Sequence, residues 1–255
     1  MKTWMLLIAA LLGVTQVAAE TVVKTKRGYA EDSDSVALIY IEEHEQTVED
    51  GVTTRQIIRY RDPDGEVFAE KNLDFRQDLR RPLFTLEDRR RNYREGLRFT
   101  DDGLEVFCFE EGEERAKPVK KKVFVADAGF DRIIETDWDT LISGKTLKFD
   151  FLVPSEEGTI KFRLKKTDEL SLKGVDAVEF TMAPANGLIR WLVDPIKVVY
   201  DIEEKALLQY SGISNLRDAD MNNYNVMIRF PPDERKQVTN TLASLKPTTQ
   251  GAVAN

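Results

Sequence analysis

The chain has 255 residues, of which 37 are Lys or Arg and 45 are Asp or Glu, so its formal net charge is −8. Hydrophobic residues make up 42% and charged residues 32%, with a mean hydropathy of −0.39, which excludes a disordered chain and a polytopic membrane protein. A single Cys and a single His exclude an intramolecular disulfide, a thiolate zinc cage, an iron–sulfur cluster and a multi-histidine metal site.

Residues 1–19 have the three parts of a secretory signal peptide. Lys2 supplies a positive charge, residues 4–14 form an apolar run too short to span a bilayer stably, and residues 17–19 are small or β-branched up to the cleavage position. We expect cleavage after Ala19 and an exported protein, with a retained membrane anchor as the alternative. A cysteine-poor exported chain is typical of the bacterial periplasm. No later segment is long and apolar enough to predict an integral membrane protein.

Beyond the signal, the sequence predicts a succession of short strands separated by tight turns. Residues 36–41 and 56–61 are rich in β-forming residues, and residues 62–65 have the Asp-Pro-Asp-Gly sequence of a hairpin turn. Apolar residues then alternate with polar ones over residues 147–151 and 160–164, and again around Phe180 and Ile228. Period-2 alternation predicts an antiparallel sheet with one dry and one wet face.

These strands predict a mainly β (α+β) fold, either an antiparallel curved sheet or an incomplete barrel. No linker or fixed-period repeat interrupts the chain, so residues 20–240 form a single predicted domain. Residues 241–255 are small and polar and predict a flexible C-terminal tail.

Residues 127–143 break the strand pattern and predict one amphipathic helix on the concave face of the sheet, with Asp127 as its N-cap and Gly144 after its C-terminus. The helix either completes the core or forms a lid over an apolar ligand cavity. In the second case, the predicted ligand-binding residues are Phe130, Ile134, Trp138, Leu141, Phe149 and Phe162.

Charge is distributed unevenly along the chain. Residues 31–50 contain eight acidic residues without Lys or Arg, and residues 76–98 contain eight arginines. Both stretches fit solvated edge strands and loops. Alternatively, the arginines contact an anionic surface of the cell envelope, because a guanidinium binds two phosphate oxygens at once. The residues predicted for this contact are Arg89, Arg90, Arg91 and Arg94. The acidic net charge and export disfavour nucleic acid as a partner.

Residues suited to catalysis are few. His44 lies among acidic residues and is interpreted as part of a solvated strand end, and Cys108 as a buried small hydrophobe rather than a reactive thiol. The sequence has no G-x-S-x-G elbow, phosphate-binding loop or H-E-x-x-H pair. We therefore expect a protein that is not an enzyme and has no metal or cofactor.

Four segments carry a resemblance to known proteins. Residues 60–75, 123–131, 149–154 and 210–215 are similar to segments of an uncharacterised bacterial family of exported proteins. A strand-rich exported chain with one helix on its sheet also resembles, in architecture, the LolA/LolB-type lipoprotein carriers. That resemblance implies an incomplete barrel whose concave apolar face holds acyl chains.

Two hypotheses follow. The first is a non-enzymatic periplasmic binding or carrier protein for an apolar ligand, a lipid or an acylated protein. The second is a structural or interaction protein of the cell envelope with a packed core and a charged, functional surface. An empty apolar volume of a few hundred Å³ between the helix and the sheet supports the first, and a core packed to normal density supports the second.

Overall fold

The computed structural model describes residues 20–186 and 195–241. The predicted signal peptide, residues 1–19, lies outside these residues, and so does the predicted tail, residues 241–255, except for Thr241, which ends the last strand. Within them the chain is mainly β, as the sequence predicts. The strands are β1 (Glu20–Asp32), β2 (Leu38–Glu49), β3 (Val52–Arg61), β4 (Val67–Asp74), β5 (Leu83–Asp88), β6 (Tyr93–Thr100), β7 (Gly103–Glu110), β8 (Glu113–Pro118), β9 (Leu147–Val153), β10 (Gly158–Leu172), β11 (Val175–Pro184), β12 (Ile196–Asp201), β13 (Leu207–Arg217), β14 (Asn223–Arg229) and β15 (Lys236–Thr241).

These strands form one 15-stranded sheet, and the ladders between neighbouring strands are antiparallel. The order is β8-β7-β6-β5-β4-β3-β2-β1-β14-β13-β12-β11-β10-β9, and β15 also pairs with β1. Most neighbours are therefore consecutive hairpins. The exception is β1, which pairs with β2 on one edge and with β14 and β15 on the other. The N-terminal strand thus joins two meanders into one sheet.

The sheet curves into an incomplete barrel, and β8 and the segment that follows it meet the β9 edge through ion pairs and one short backbone bridge. Val125 forms a parallel bridge with Phe151, in which the Leu152 amide donates to the Val125 carbonyl over 2.8 Å. Lys117 on β8 pairs with Glu157 beyond β9 over 2.8 Å, and Lys121 pairs with Asp150 over 2.9 Å. No ladder joins β8 directly to β9 in the described residues. The predicted fold class is confirmed.

The predicted helical segment forms two short helices, α1 (Gly129–Thr136) and α2 (Trp138–Ile142), which are separated at Asp137. The predicted N-cap is wrong. Ala128 occupies the N-cap position, and Asp127 precedes it with a positive φ of 42° and directs its carboxylate to Lys71 instead. Gly144 adopts the left-handed conformation expected after a helix, with φ of 83°.

Two apolar clusters fill the barrel. One lies between β1–β7, β13 and β14, and the other lies between the helices and β10–β12. Within the described residues, no helix is long and apolar enough to cross a membrane.

Candidate functional site

The six predicted ligand-binding residues come together in one cluster, and that cluster is packed. Trp138 is 6% exposed and makes edge-to-face contacts with Phe180 and Tyr200, at ring-centroid distances of 5.7 and 6.2 Å. Ile134, Leu141 and Phe162 are buried beside it, and Phe130 and Phe149 pack against it. On this side the helices complete the core. Of the six, only Phe130 also lines one of the cavities described next.

Two adjoining cavities lie against a different face of α1. The outer cavity has a volume of about 550 Å³ and is bounded by β1–β3, α1 and the segments around residues 204–207 and 235–237. The inner cavity, of about 220 Å³, lies deeper in the barrel. Both are lined by Lys26, His44, Gln56, Ala128, Asp131 and Leu207, so the two cavities share a wall.

The inner cavity combines apolar walls with buried polar groups. Its apolar lining includes Ile58, Phe130, Phe151, Met182, Ile196 and Ile228. The charged and hydrogen-bonding groups considered below lie on the inward faces of β1–β4, just before α1 and on α1, and they are Lys26, Glu42, His44, Gln56, Lys71, Asp127 and Asp131. Such a mixture suits a ligand that is mostly apolar and carries one polar end.

A chain of hydrogen bonds runs along the inward faces of β2 and β3. Gln46 donates to Gln56 Oε1 over 3.1 Å, Gln56 Nε2 lies 3.0 Å from His44 Nδ1, and His44 Nε2 lies 2.7 Å from Glu42 Oε2. Burial lowers the pKa of His44, although its bond to Glu42 opposes this. These contacts fit a neutral ring that accepts at Nδ1 and donates to the Glu42 carboxylate.

His44 is therefore not part of a solvated strand end, contrary to the sequence interpretation. It is 8% exposed in the middle of β2, which is an interior strand of the sheet rather than an edge. Glu42 is buried beside it. The acidic stretch thus contributes inward-facing residues to the cavity as well as solvated ones.

A buried ion pair fixes the chain at the start of α1. Lys71 Nζ lies 2.7 Å from Asp127 Oδ2, and both side chains are almost fully buried. Burial lowers the pKa of Lys71, but the Asp127 carboxylate outweighs it, so the pKa is raised overall. On the other side of α1, Tyr200 donates to Asp131 over 2.6 Å. The two bonds hold α1 between β4 and β12.

Lys26 differs from these groups because no carboxylate in the described part of the chain pairs with it. Its ammonium lies 4.8 Å from the centre of the Phe230 ring, in a wall common to both cavities. Burial lowers the pKa of Lys26, while Asp131 and Glu42 raise it less strongly. An amphiphile that entered through the outer cavity would pass this ammonium.

The four predicted anionic-contact arginines lie around the β5–β6 turn and do not line the cavities. Arg90 pairs with the buried Asp88 over 3.1 Å and stacks on Phe68, and Arg94 lies 4.7 Å from the Phe109 ring centre. Arg91 lies near the Arg217 carbonyl, whereas the side chain of Arg89 is exposed. Cys108 is fully buried, as the sequence predicts. No group of three or more metal-ligating side chains was found among the described residues.

The cavity residues Lys26, Gln56 and Lys71 were not identified from the sequence, although a signal exists. Gln56 shares the inward phase of β3 with Ile58 and Tyr60, and Lys71 shares that of β4 with Ala69 and Leu73. A polar residue in the apolar phase of a strand must find a partner inside the fold or face a cavity. That signal points to the inner cavity.

Comparisons with known proteins give likenesses of fold. No protein-family model matches the chain, and no curated protein matches it. It is similar to the crystal structure of a β-barrel-like protein of a domain of unknown function from Brucella abortus, with a TM-score of 0.41 and 7% identity over 88% of this chain and 99% of that one.

Two further solved structures are similar. One, of another family of unknown function from Desulfovibrio piger, has a TM-score of 0.26 and 7% identity over 89% of this chain and 87% of that one. The other is a candidate outer membrane lipoprotein-sorting domain from Vibrio parahaemolyticus, with a TM-score of 0.23 and 9% identity over the same shares of 89% and 87%. These likenesses concern backbone architecture alone, so function is argued below from this chain's own residues.

Proposed function

We propose that this chain is a non-enzymatic binding or carrier protein of the periplasm, whose inner cavity holds the apolar part of a lipid or of an acylated protein. The observation that supports it most directly is the inner cavity itself, which is walled largely by aliphatic and aromatic side chains inside a barrel and adjoins the outer cavity. Burying apolar ligand surface there contributes roughly 25 cal/mol per Å².

The polar groups around the cavity support binding rather than catalysis. His44 is hydrogen-bonded to Glu42 and Gln56, and Lys71 is paired with Asp127. A general acid or base needs a free position within hydrogen-bond reach of the reacting group. These side chains instead form hydrogen bonds and an ion pair with one another, which suits a rigid cavity wall.

The pattern of residues 1–19 supports the periplasmic location. We expect to find the protein in the periplasmic fraction, with the intact mass of a chain that begins at Glu20. A mass that retains residues 1–19 would contradict this part of the proposal and leave the cavity argument unaffected.

Ligand binding can be tested with N-phenylnaphthylamine, a neutral apolar probe that fluoresces when it leaves water. Ile213 lines the inner cavity and is 37% exposed, so Ile213→Trp should occupy cavity space without disturbing the core. We expect the wild type to bind the probe and Ile213→Trp to bind it about tenfold more weakly, which corresponds to about 1.4 kcal/mol.

The matched control is Val52→Trp, which adds the same ring at an exposed position that lines neither cavity. It should bind like the wild type. Mass spectrometry of organic-solvent extracts of the purified protein tests the same point. Failure of the wild type to bind the probe, together with extracts that contain no lipid, would overturn the proposal.

A further inference from the structure

The charges around the outer cavity are opposite in sign to the charge of the whole chain. Six cationic side chains line it against three carboxylates, in a protein with a formal charge of −8. The carboxylates are Asp131, Glu135 and Glu204. A concave site with an excess of one charge concentrates ligands of the other.

The carboxylates of the outer cavity already have partners. Arg132 pairs with Glu135 over 2.6 Å, Arg235 pairs with Glu204, and Asp131 accepts the hydrogen bond of Tyr200. Four ammonium groups then have no ion-pair partner among the residues that the structure describes, namely those of Lys24, Lys26, Lys205 and Lys236.

The position of Lys26 relates this charge to the inner cavity. Its side chain follows that of Lys24 on the same face of β1, and it lines both cavities. Of the other charged groups in the inner cavity, Lys71 pairs with Asp127, and the Glu42 and Asp131 carboxylates are hydrogen-bonded to the neutral His44 ring and to Tyr200. The four ammonium groups without an ion-pair partner therefore line the outer cavity, and Lys26 is the one of the four that also lines the inner cavity.

We infer that the outer cavity binds the anionic head group of an amphiphile, a carboxylate or a phosphate, whose hydrocarbon chain occupies the inner cavity, with Lys26 contacting the head. This inference rests on the proposed binding function and adds the chemistry of the polar end. An ammonium suits either anion, because its three donors can rotate toward the oxygens.

The test uses decanoate, decyl phosphate and decanol, which share one hydrocarbon chain and differ at the head. Each displaces N-phenylnaphthylamine from the wild type. We expect both anions to bind at least about tenfold more tightly than decanol, the gain typical of a hydrogen bond to a charged group. Their affinity should fall with salt, and that of decanol should not. If decanoate binds more tightly than decyl phosphate, the preferred head group is a carboxylate; if decyl phosphate binds more tightly, it is a phosphate.

The variant is Lys26→Met, which keeps an unbranched stem and removes the charge. It should bring both anions to the affinity of decanol while decanol itself binds as before. Lys161→Met is the matched control, because Lys161 is exposed on β10 and lines neither cavity. It should leave all three affinities unchanged.

The outcomes separate the two proposals. Equal binding of the anions and decanol by the wild type, or anion binding that Lys26→Met does not weaken, overturns the head-group inference and leaves the apolar site standing. Failure of all three compounds and of the fluorescent probe overturns the proposed function, and the inference with it.

Discussion

At the scale of single residues, the buried polar side chains determine how the barrel responds to pH. Burial lowers the pKa of His44, so the folded chain holds the ring neutral more strongly than the unfolded chain does. The unfolded state then binds the additional proton first as the pH falls. The contribution of His44 to stability is complete above the unfolded pKa, about 6.5, and is lost as the pH falls from there toward the folded pKa.

We expect the free energy of unfolding of the wild type to fall as the pH drops below about 6.5, and we expect the fall to be smaller in His44→Gln. The variant also loses hydrogen bonds, so the comparison concerns the slope with pH and not the absolute stability. Urea denaturation at several pH values measures both. Burial raises the pKa of Glu95, which has the opposite effect on the slope but is common to both proteins. Equal slopes of the unfolding free energy with pH in the wild type and in His44→Gln would contradict a change in the pKa of His44 on folding.

At the scale of elements, the two helices have a packing role on one face and line a cavity on the other. Ile134, Trp138 and Leu141 pack on β10–β12, whereas Asp131, Arg132 and Glu135 of α1 face the outer cavity. The sequence stripe predicted the first face correctly. It could not show that the cavities lie elsewhere, because packing on a sheet and covering a cavity require the same apolar spacing.

This division predicts the outcome of Trp138→Ala. The ring is buried between Phe180 and Tyr200, so its removal should cost about 3–5 kcal/mol of stability. Trp138 lines neither cavity, so binding of N-phenylnaphthylamine should persist at temperatures where the variant is folded. Denaturant midpoints and probe titrations on the same preparations check both points. A small loss of stability with loss of the probe would instead make the helix a lid.

The strands were predictable where one face is apolar throughout. The alternation over β9, β10, β11 and β14 identified them from sequence, as did the turn residues at the β3–β4 hairpin. β1 was not identified, because its inward face carries Lys24, Lys26 and Gly28. Gly28 is required there, since a Cβ would lie 2.4 Å from the Phe230 ring. The two lysines that hid the strand contribute to the cavity walls.

At the scale of the whole molecule, the arginine surface at the β5–β6 turn is separate from the cavities and remains a prediction of envelope contact. Asp88 would be left buried without its partner if Arg90 were replaced, so Arg89 and Arg94 are the better positions to change. We expect Arg89→Ser with Arg94→Ser to weaken binding to vesicles that contain phosphatidylglycerol and to flatten its salt dependence. Vesicle co-sedimentation measures this.

The matched control also removes two positive charges, but from a different strand. Lys161 and Lys165 are exposed on β10, and Lys161→Ser with Lys165→Ser should leave vesicle binding unaltered. An equal loss of vesicle binding in both double variants would show that the effect comes from the net charge of the protein and not from the arginine surface. Unchanged binding in both would leave the arginines as a solvated face.

The pairing of β1 with β14 also has a kinetic consequence. Tyr29 lies opposite Arg229, and Val23 lies opposite Val238, so β1 acquires these neighbours only when nearly the whole intervening chain has been synthesised. Ladders between residues so distant in sequence form late and raise the contact order, which slows folding. Until then one edge of β1 is open, and the outer cavity, which includes residues 235–237, lacks part of its wall. We therefore expect the chain to complete its outer cavity in the last steps of its folding.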